Sequence, residues 1–520
     1  MMCHVLLFRS LINLCIQTRC SVAIINQRYD IHPAPTQKVD GKLMSHNLET
    51  DYLVVGAGAV GMAFVDTLLD ECASKVIMVD KNHQPGGHWN DTYPFVRLHQ
   101  PSHFYGVAST QLGSTTIETI GKNKGYFELA TGIELQAYFS EVMRKRFMLS
   151  GRVRYFPMSE WHFSRAGISN FTNLLSGKQY NVSVKKKVVD TTYLKTSVPS
   201  RHLRAFDVAG GVACVSPNNL PLQARNHESY CIVGAGKTAM DVGVWLLENG
   251  ARSENISWVC PRHSWLMNRE VVQGHEKFFF ESMTCFAKQM EAIAKATDVD
   301  ELFREMEACG FLLRIHPDKH PNMFHYAVIS KGEINQLRQI DNLLENGRIS
   351  SINNKGLIFK NGSFVQMTPN TLYIDCTASA VNFSASNTKP IFQPRLITPQ
   401  ATQLPNPCLS AAMAAFVETN YTDDGARNNA CRPIPIPDDP TSWLTSQLGH
   451  MINQNAINKD PKLKNWMAEC RLNGVGRMTR NVKPYHLKKM ALLAKLKRNF
   501  RPAVANLRDL IAKSNLQVAE

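Results

Sequence analysis

Two stretches of the chain share one rhythm: a short unbroken apolar run, a glycine-rich turn, a helical apolar pattern, then a second apolar run. In the first, Asp51-Tyr52-Leu53-Val54-Val55 leads into Gly56-Ala57-Gly58-Ala59-Val60-Gly61, apolar positions continue at helical spacing through Leu69, and Lys75 to Val79 ends at Asp80. In the second, Tyr230 to Val233 leads into Gly234-Ala235-Gly236-Lys237-Thr238-Ala239, a helix runs through Leu247, and Ile256 to Val259 ends at Cys260-Pro261-Arg262-His263. Apolar runs without alternation, bounded by turn residues and separated by helices, predict parallel strands covered on both faces. The fold class expected is therefore α/β, with two doubly wound (Rossmann-type) dinucleotide-binding domains.

The residues at each turn have separate physical tasks. Gly56 permits the tight turn, Gly58 lets backbone approach a pyrophosphate on the helix N-terminus with Ala59 and Val60 beside it, and Gly61 allows helix and strand to pack closely. Asp80, with Lys81 after it, stands where a carboxylate accepts the ribose hydroxyls, so the first site is expected to hold FAD. At the second site Gly234, Gly236, Lys237, Thr238 and Ala239 form the turn, but Arg262 follows the strand where the first unit has an acid. Arginine in place of a carboxylate favours a 2′-phosphate, which makes NADPH the second expected cofactor; the competing reading is a solvated surface arginine.

Elsewhere the pattern is less specific. Phe278, Met283, Phe286, Met290 and Ile293 recur mostly three or four apart, predicting inserted helices over 275–313 whose stripe reads as core. Leu487, Met490, Ala491, Ala494 and Phe500 keep helical spacing among lysines, predicting a basic amphipathic helix. The formal charge is +15, and fourteen basic residues against three acids between 461 and 520 put +11 there, leaving +4 for the rest. Two readings fit this tail: peripheral contact with an anionic membrane surface, or a helix docked on the body with its basic face solvated. Few aromatics interleave the charges, so nucleic acid is not an expected partner.

Residues 1–29 carry Arg9, Arg19 and Arg28 with no acid, the composition of a mitochondrial presequence and equally of a disordered extension; a mitochondrial or cytoplasmic location is expected. No apolar run reaches the roughly 18–20 residues needed to span a bilayer, so neither an integral membrane protein nor a secreted one is expected. The thirteen cysteines lack CxxC pairs, which argues for a reducing compartment and against a zinc site. Cys15 and Cys20 lie upstream of the first turn, the wrong side for a flavin-linked redox pair. His316, His320 and His325 are interrupted by Pro317 and Pro321, so no metal is expected. The boundaries expected are a leader and linker over 1–48, the FAD domain over 49–215 and 361–450, the NADPH domain with its helical insert over 216–360 and inserted in the FAD domain, and a basic helical region over 451–520.

Between the turns the chain resembles the flavin-containing and Baeyer-Villiger monooxygenases among the two-dinucleotide-domain flavoproteins. Gly86-Gly87-His88-Trp89-Asn90-Asp91-Thr92-Tyr93-Pro94 is similar to their GG-x-W element followed by Tyr-Pro. The resemblance implies that Gly87 and His88 approach the flavin and that Trp89 shields it, the plain alternative for Trp89 being a core aromatic. Arg97 to Ser102 falls where the relatives place polar groups near isoalloxazine and nicotinamide, which makes His99 and Gln100 cofactor-binding candidates. Val188 to Tyr193 and Leu372 to Ser379, with Thr377 and Ala378, resemble the strands that close the two nucleotide domains. The resemblance implies NADPH-driven reduction of FAD and transfer of one oxygen atom from molecular oxygen, through a flavin C4a adduct, to a small nucleophilic or carbonyl substrate. The cofactor carries that chemistry, and no side chain is assigned as catalytic. The chain departs from the family at its FxGxxxH fingerprint: Phe206 to Cys214 holds no histidine, and none follows until His227. A flavoprotein reductase or dehydrogenase without oxygen insertion uses the same two sites, as does a non-catalytic dinucleotide-binding partner protein. Lys237, where the family has a small polar residue, either reaches a phosphate or caps the turn.

Overall fold

A computed structural model of the chain describes residues 46–162, 169–194, 196–379, 381 and 388–514. The leader, with Cys15 and Cys20, lies outside the described residues. In chain order β1 (His46–Val55), α1 (Ala59–Glu71), β2 (Val76–Val79), β3 (Val153–Phe156) and β4 (Gln179–Asp190) build the first unit. The chain then forms β5 (Cys214–Val215), β6 (Ser229–Val233), α2 (Lys237–Glu248), β7 (Ile256–Val259), β8 (Ser264–Asn268), α3 (Phe279–Lys295), α4 (Val299–Ala308), β9 (Met323–Ile329), α5 (Lys331–Leu337), β10 (Asn342–Leu344) and β11 (Thr371–Asp375). It returns through β12 (Leu396–Ile397) and α6 (Pro407–Asn420) and ends in α7 (Pro440–Lys459), α8 (Gly474–Arg480) and α9 (Leu487–Lys513).

The first sheet runs β12-β4-β1-β2-β3 and the second β10-β7-β6-β11-β5, with every one of these neighbours parallel. Strands β2 and β7 are buried throughout, as their unbroken apolar sequences require of parallel strands with helices on both faces. The second sheet lies between β4 and β12 of the first along the chain, so one doubly wound unit is inserted in the other. Strand β11 closes the second sheet by pairing with β6, so that sheet reaches Asp375, past the expected boundary at 360. Strand β1 begins at His46, inside the segment read as linker, because the twelve-residue β4 supplies partners from Tyr180 to Val184 for His46 to Thr50.

Helices α1 and α6 are buried along nearly their whole lengths, and alanines and glycines let them approach. Glu418 near the end of α6 pins this layer to the sheet: it accepts from the Tyr52 hydroxyl (3.1 Å) and pairs with Lys187 (3.2 Å) and Arg427 (3.2 Å). The expected insert is present as α3 and α4. Helix α9 docks on it, but by only one residue of the stripe read from the sequence, Phe500. Leu492 and Leu493, then Ala503, Leu507, Leu510 and Ile511, face inward with it, while Leu487, Met490, Ala491 and Ala494 face out. The docked half is the one that meets α3, where Asn506 Nδ2 donates to the carbonyls of Ile293 (2.9 Å) and Ala296 (2.8 Å). Among the described residues no helix is long and apolar enough to cross a membrane.

Candidate functional site

The first turn has the geometry its glycines predict. Gly56 takes a φ of +98°, and a Cβ there would stand 2.5 Å from Thr191 Oγ1; a Cβ on Gly61 would stand 2.1 Å from the Gly56 carbonyl oxygen. Gly58 caps the N-terminus of α1 without any side-chain acceptor, leaving the first backbone N–H groups of the helix, those of Ala59 and Val60 included, facing the turn. Asp80 is buried, its Oδ2 accepting from the Ala57 N–H (2.5 Å) and its Oδ1 from the Asn82 N–H (2.7 Å). Burial pulls its pKa up more strongly than these donors pull it down. Lys81 is exposed.

The Gly86-Gly87 loop lies against this turn. Gly86 donates to the Ala57 carbonyl (2.9 Å), and a Cβ on Gly87 would stand 2.8 Å from the Gly58 Cα. The two segments meet backbone to backbone, which a side chain at Gly87 would prevent. Trp89 is buried, its Nε1 donating to the Tyr105 hydroxyl (3.0 Å) and its ring edge-on to Tyr105. His88 and His99 lie deep in the chain without being sealed, and burial holds both imidazoles down at about 4. Gln100 Nε2 is buried and has no hydrogen-bond partner.

At the second turn Gly234 takes a φ of +126°, and a Cβ there would stand 2.8 Å from the Cys376 carbonyl oxygen. Gly236 caps α2, and a Cβ on it would meet nothing within 4 Å. Packing within the protein does not demand glycine at 236. Ala239 is fully buried under the turn. Thr377 and Ala378 follow β11, Thr377 Oγ1 donating to Asp375 (2.6 Å) and standing 3.1 Å from His202 Nε2.

Two basic residues are engaged in ion pairs. Arg262 is half-buried, its two terminal nitrogens donating to Asp438 (3.0 and 3.2 Å), whose Oδ1 also meets His325 Nε2 (2.6 Å). Lys237 neither reaches outward nor caps the turn. Its ammonium is buried between Asp241 and Glu333 (3.1 Å), and Glu333 in turn holds Arg269 (2.6 Å).

This buried ionic cluster was not foreseen from the sequence. It contains two cations, Lys237 and Arg269, and two carboxylates, Asp241 and Glu333, and it is completed by the Tyr93 hydroxyl donating to Asp241 (2.7 Å). Arg269, 1% exposed, also donates to the His99 carbonyl (3.4 Å) and to Asn123 Oδ1 (3.3 Å). Burial alone would raise the pKa of Glu333, but the charges of Lys237 and Arg269 overcome it and hold the carboxyl well below its ordinary range. Tyr93 is pushed the other way, first by burial and then by the Asp241 charge. The cluster joins the loop that covers the first turn to the helix that starts at the second. The only sequence sign of it was Lys237 itself, an odd residue in a glycine turn.

No family model matches the chain. The uncharacterized protein Mb2023 of Mycobacterium bovis and the uncharacterized proteins MT2056 and Rv2000 of Mycobacterium tuberculosis are each 42% identical to it over 444 residues, 85% of this chain and 80% of theirs. Among solved structures, cyclohexanone-bound cyclohexanone monooxygenase superposes with a TM-score of 0.46 at 13% identity, over 72% of this chain and 86% of that one. The flavin-containing monooxygenase from Stenotrophomonas maltophilia gives 0.43 at 11% identity (72% and 97%), and oxidized steroid monooxygenase bound to NADP gives 0.47 at 12% (71% and 85%). The chain belongs to the family of the three mycobacterial proteins.

Proposed function

We propose that the chain is a flavin-dependent oxidoreductase that binds FAD at the first turn and NADPH at the second, and that its reaction is the monooxygenation of a small nucleophilic or carbonyl substrate. The observation that carries the reading is the pairing of two parallel units, one inserted in the other, each with a positive-φ first glycine in the turn before a helix N-terminus, of which the first has a carboxylate directed at its own turn. The residues fit the groups proposed. At the first turn Ala59, Val60, Gly87 and His88 would line the pyrophosphate and Asp80 would face the ribose. At the second, the open approach to Gly236 and the N-terminus of α2 would receive the nicotinamide cofactor's phosphates. Gln100, with an amide nitrogen lacking a partner, and His99, held neutral by burial, would offer uncharged polar groups to the reacting rings. When bound, the two cofactors supply hydride transfer and reaction with molecular oxygen; the chain supplies position and shelter from water.

A reductase without oxygen insertion is the second reading. It is favoured by the chain's departure from the monooxygenase families at the FxGxxxH fingerprint, where Phe206 to Cys214 holds no histidine. The test begins with visible absorbance of the purified full chain. Oxidised flavin bands that bleach with NADPH support the oxidoreductase, and a colourless protein that refuses added FAD overturns it. Rapid mixing of the reduced protein with oxygen then separates the two reactions: incorporation of labelled oxygen into an amine, sulfide or ketone marks monooxygenation, and peroxide stoichiometric with NADPH marks the reductase.

A further inference from the structure

Away from both turns, a polar pocket of about 260 Å³ is lined by Gly274, His275, Glu276, Arg477, Arg480 and Asn481. We propose that it is an oxyanion site that takes a phosphate group. The pocket is built by a close backbone crossing: a Cβ on Gly474 would stand 2.8 Å from the Gly274 Cα, so the 274–276 segment lies directly against the start of α8. The carboxylates nearby are already neutralised, Glu276 by Lys489 (2.9 Å) and Glu469 by Arg480 (2.7 Å). Arg477, which lines the pocket, is left with no carboxylate partner among the described residues. Behind His275, ring centres 6.1 Å apart and edge-on, lies His103, 1% exposed, which backs the pocket without lining it. Burial lowers the pKa of both histidines, and the uncompensated charge of Arg477 lowers them further. A pocket whose carboxylate is already paired and whose Arg477 is not carries surplus positive charge, which matches a doubly charged phosphate better than a neutral ligand.

The chemistry of the pocket is shared by a soluble phosphate ester and a phosphomonoester lipid headgroup. The neighbouring surface exposes Val475, Tyr485 and Leu487 beside Lys483 and Lys488. The site does not depend on the dinucleotide reading, and its test does not use NADPH oxidation.

Inorganic phosphate titrated into the full chain by calorimetry, against matched chloride, is expected to bind saturably. Arg477→Gln, at a side chain with no ion pair to lose, is expected to weaken binding by roughly tenfold while leaving the thermal midpoint unchanged. Arg498→Gln, on the exposed face of α9, serves as the control. In a second arm the chain is sedimented with vesicles of phosphatidylcholine with or without phosphatidic acid. Retention only by phosphatidic acid, lost in Arg477→Gln, identifies the lipid headgroup as source; phosphate binding without retention identifies a soluble ester. Absence of saturable phosphate binding, or binding that Arg477→Gln and Arg498→Gln weaken equally, overturns the proposal.

Discussion

The Tyr93 hydroxyl donates to Asp241 Oδ2 at 2.7 Å, a single bond that ties the loop over the first glycine turn to the helix that begins at the second. Because Asp241 is also held by Lys237, this bond belongs to a buried group of charges whose members rely on one another. Tyr93→Phe removes one hydrogen bond to a charged acceptor and is expected to destabilise the chain by about 1–2 kcal/mol. Lys237→Met removes the cation between two buried carboxylates and is expected to cost more, about 3–5 kcal/mol. Urea unfolding measures both. Equal small losses in the two variants would mean that Lys237 is effectively solvated.

Gly236→Ala separates ligand from fold. The new methyl meets no protein atom within 4 Å, so the thermal midpoint should hold, while the KM for NADPH rises about tenfold or more and flavin content stays the same. Gly58→Ala should do the converse, lowering flavin occupancy, because its methyl reaches the Gly87 Cα at a tolerable 3.4 Å but occupies the path of a pyrophosphate. If Gly236→Ala left NADPH kinetics untouched, the second turn would not be the nicotinamide site.

Arg262 reaches a 2′-phosphate only by giving up Asp438. Asp438→Asn weakens that hold and is expected to lower the KM for NADPH while leaving NADH unchanged; Arg262→Ala is expected to erase the preference between the two. Steady-state kinetics with both nucleotides decide the matter, and indifference of the wild-type chain to the 2′-phosphate would end this role for Arg262.

Acid should weaken the fold before it neutralises the carboxylates. Burial holds His88, His99, His103 and His450 at about 4 against an ordinary 6.5, so between those values the unfolded chain takes up protons that the folded chain refuses. Stability therefore falls as pH drops from 6.5 toward 4. Glu333, whose pKa is depressed, adds stability above the ordinary carboxylate range that is lost only on further acidification. Thermal midpoints across this range should decline, and His450→Gln should make the decline shallower; a flat profile would show that these imidazoles reach water.

What was legible in the sequence was local. The glycines of both turns act through their own φ angles and their own helix ends, so Gly56, Gly61 and Gly234 could be read without knowing what lay nearby. Arg262 could not, because Asp438 comes to it from 176 residues away. Tyr93 and Asp241 are likewise 148 residues apart, and Glu333 looks in sequence like an ordinary helix-capping glutamate, which it also is. Helix α9 was found by its period, but the period does not say which face meets a partner. That was decided by where α3 lies, and the stripe of Leu487, Met490 and Ala494 was left outside.

The insertion of one sheet within the other sets an order of assembly. Strand β12 pairs Leu396 with Val188 of β4, and α6 covers α1, so the first sheet lacks its edge and half its cover until the whole second unit has left the ribosome. The second sheet, by contrast, has all five strands by Asp375. The second unit is thus able to close while the first, though begun earlier, still waits, and a nascent chain halted before 396 would carry α1 without the cover of α6.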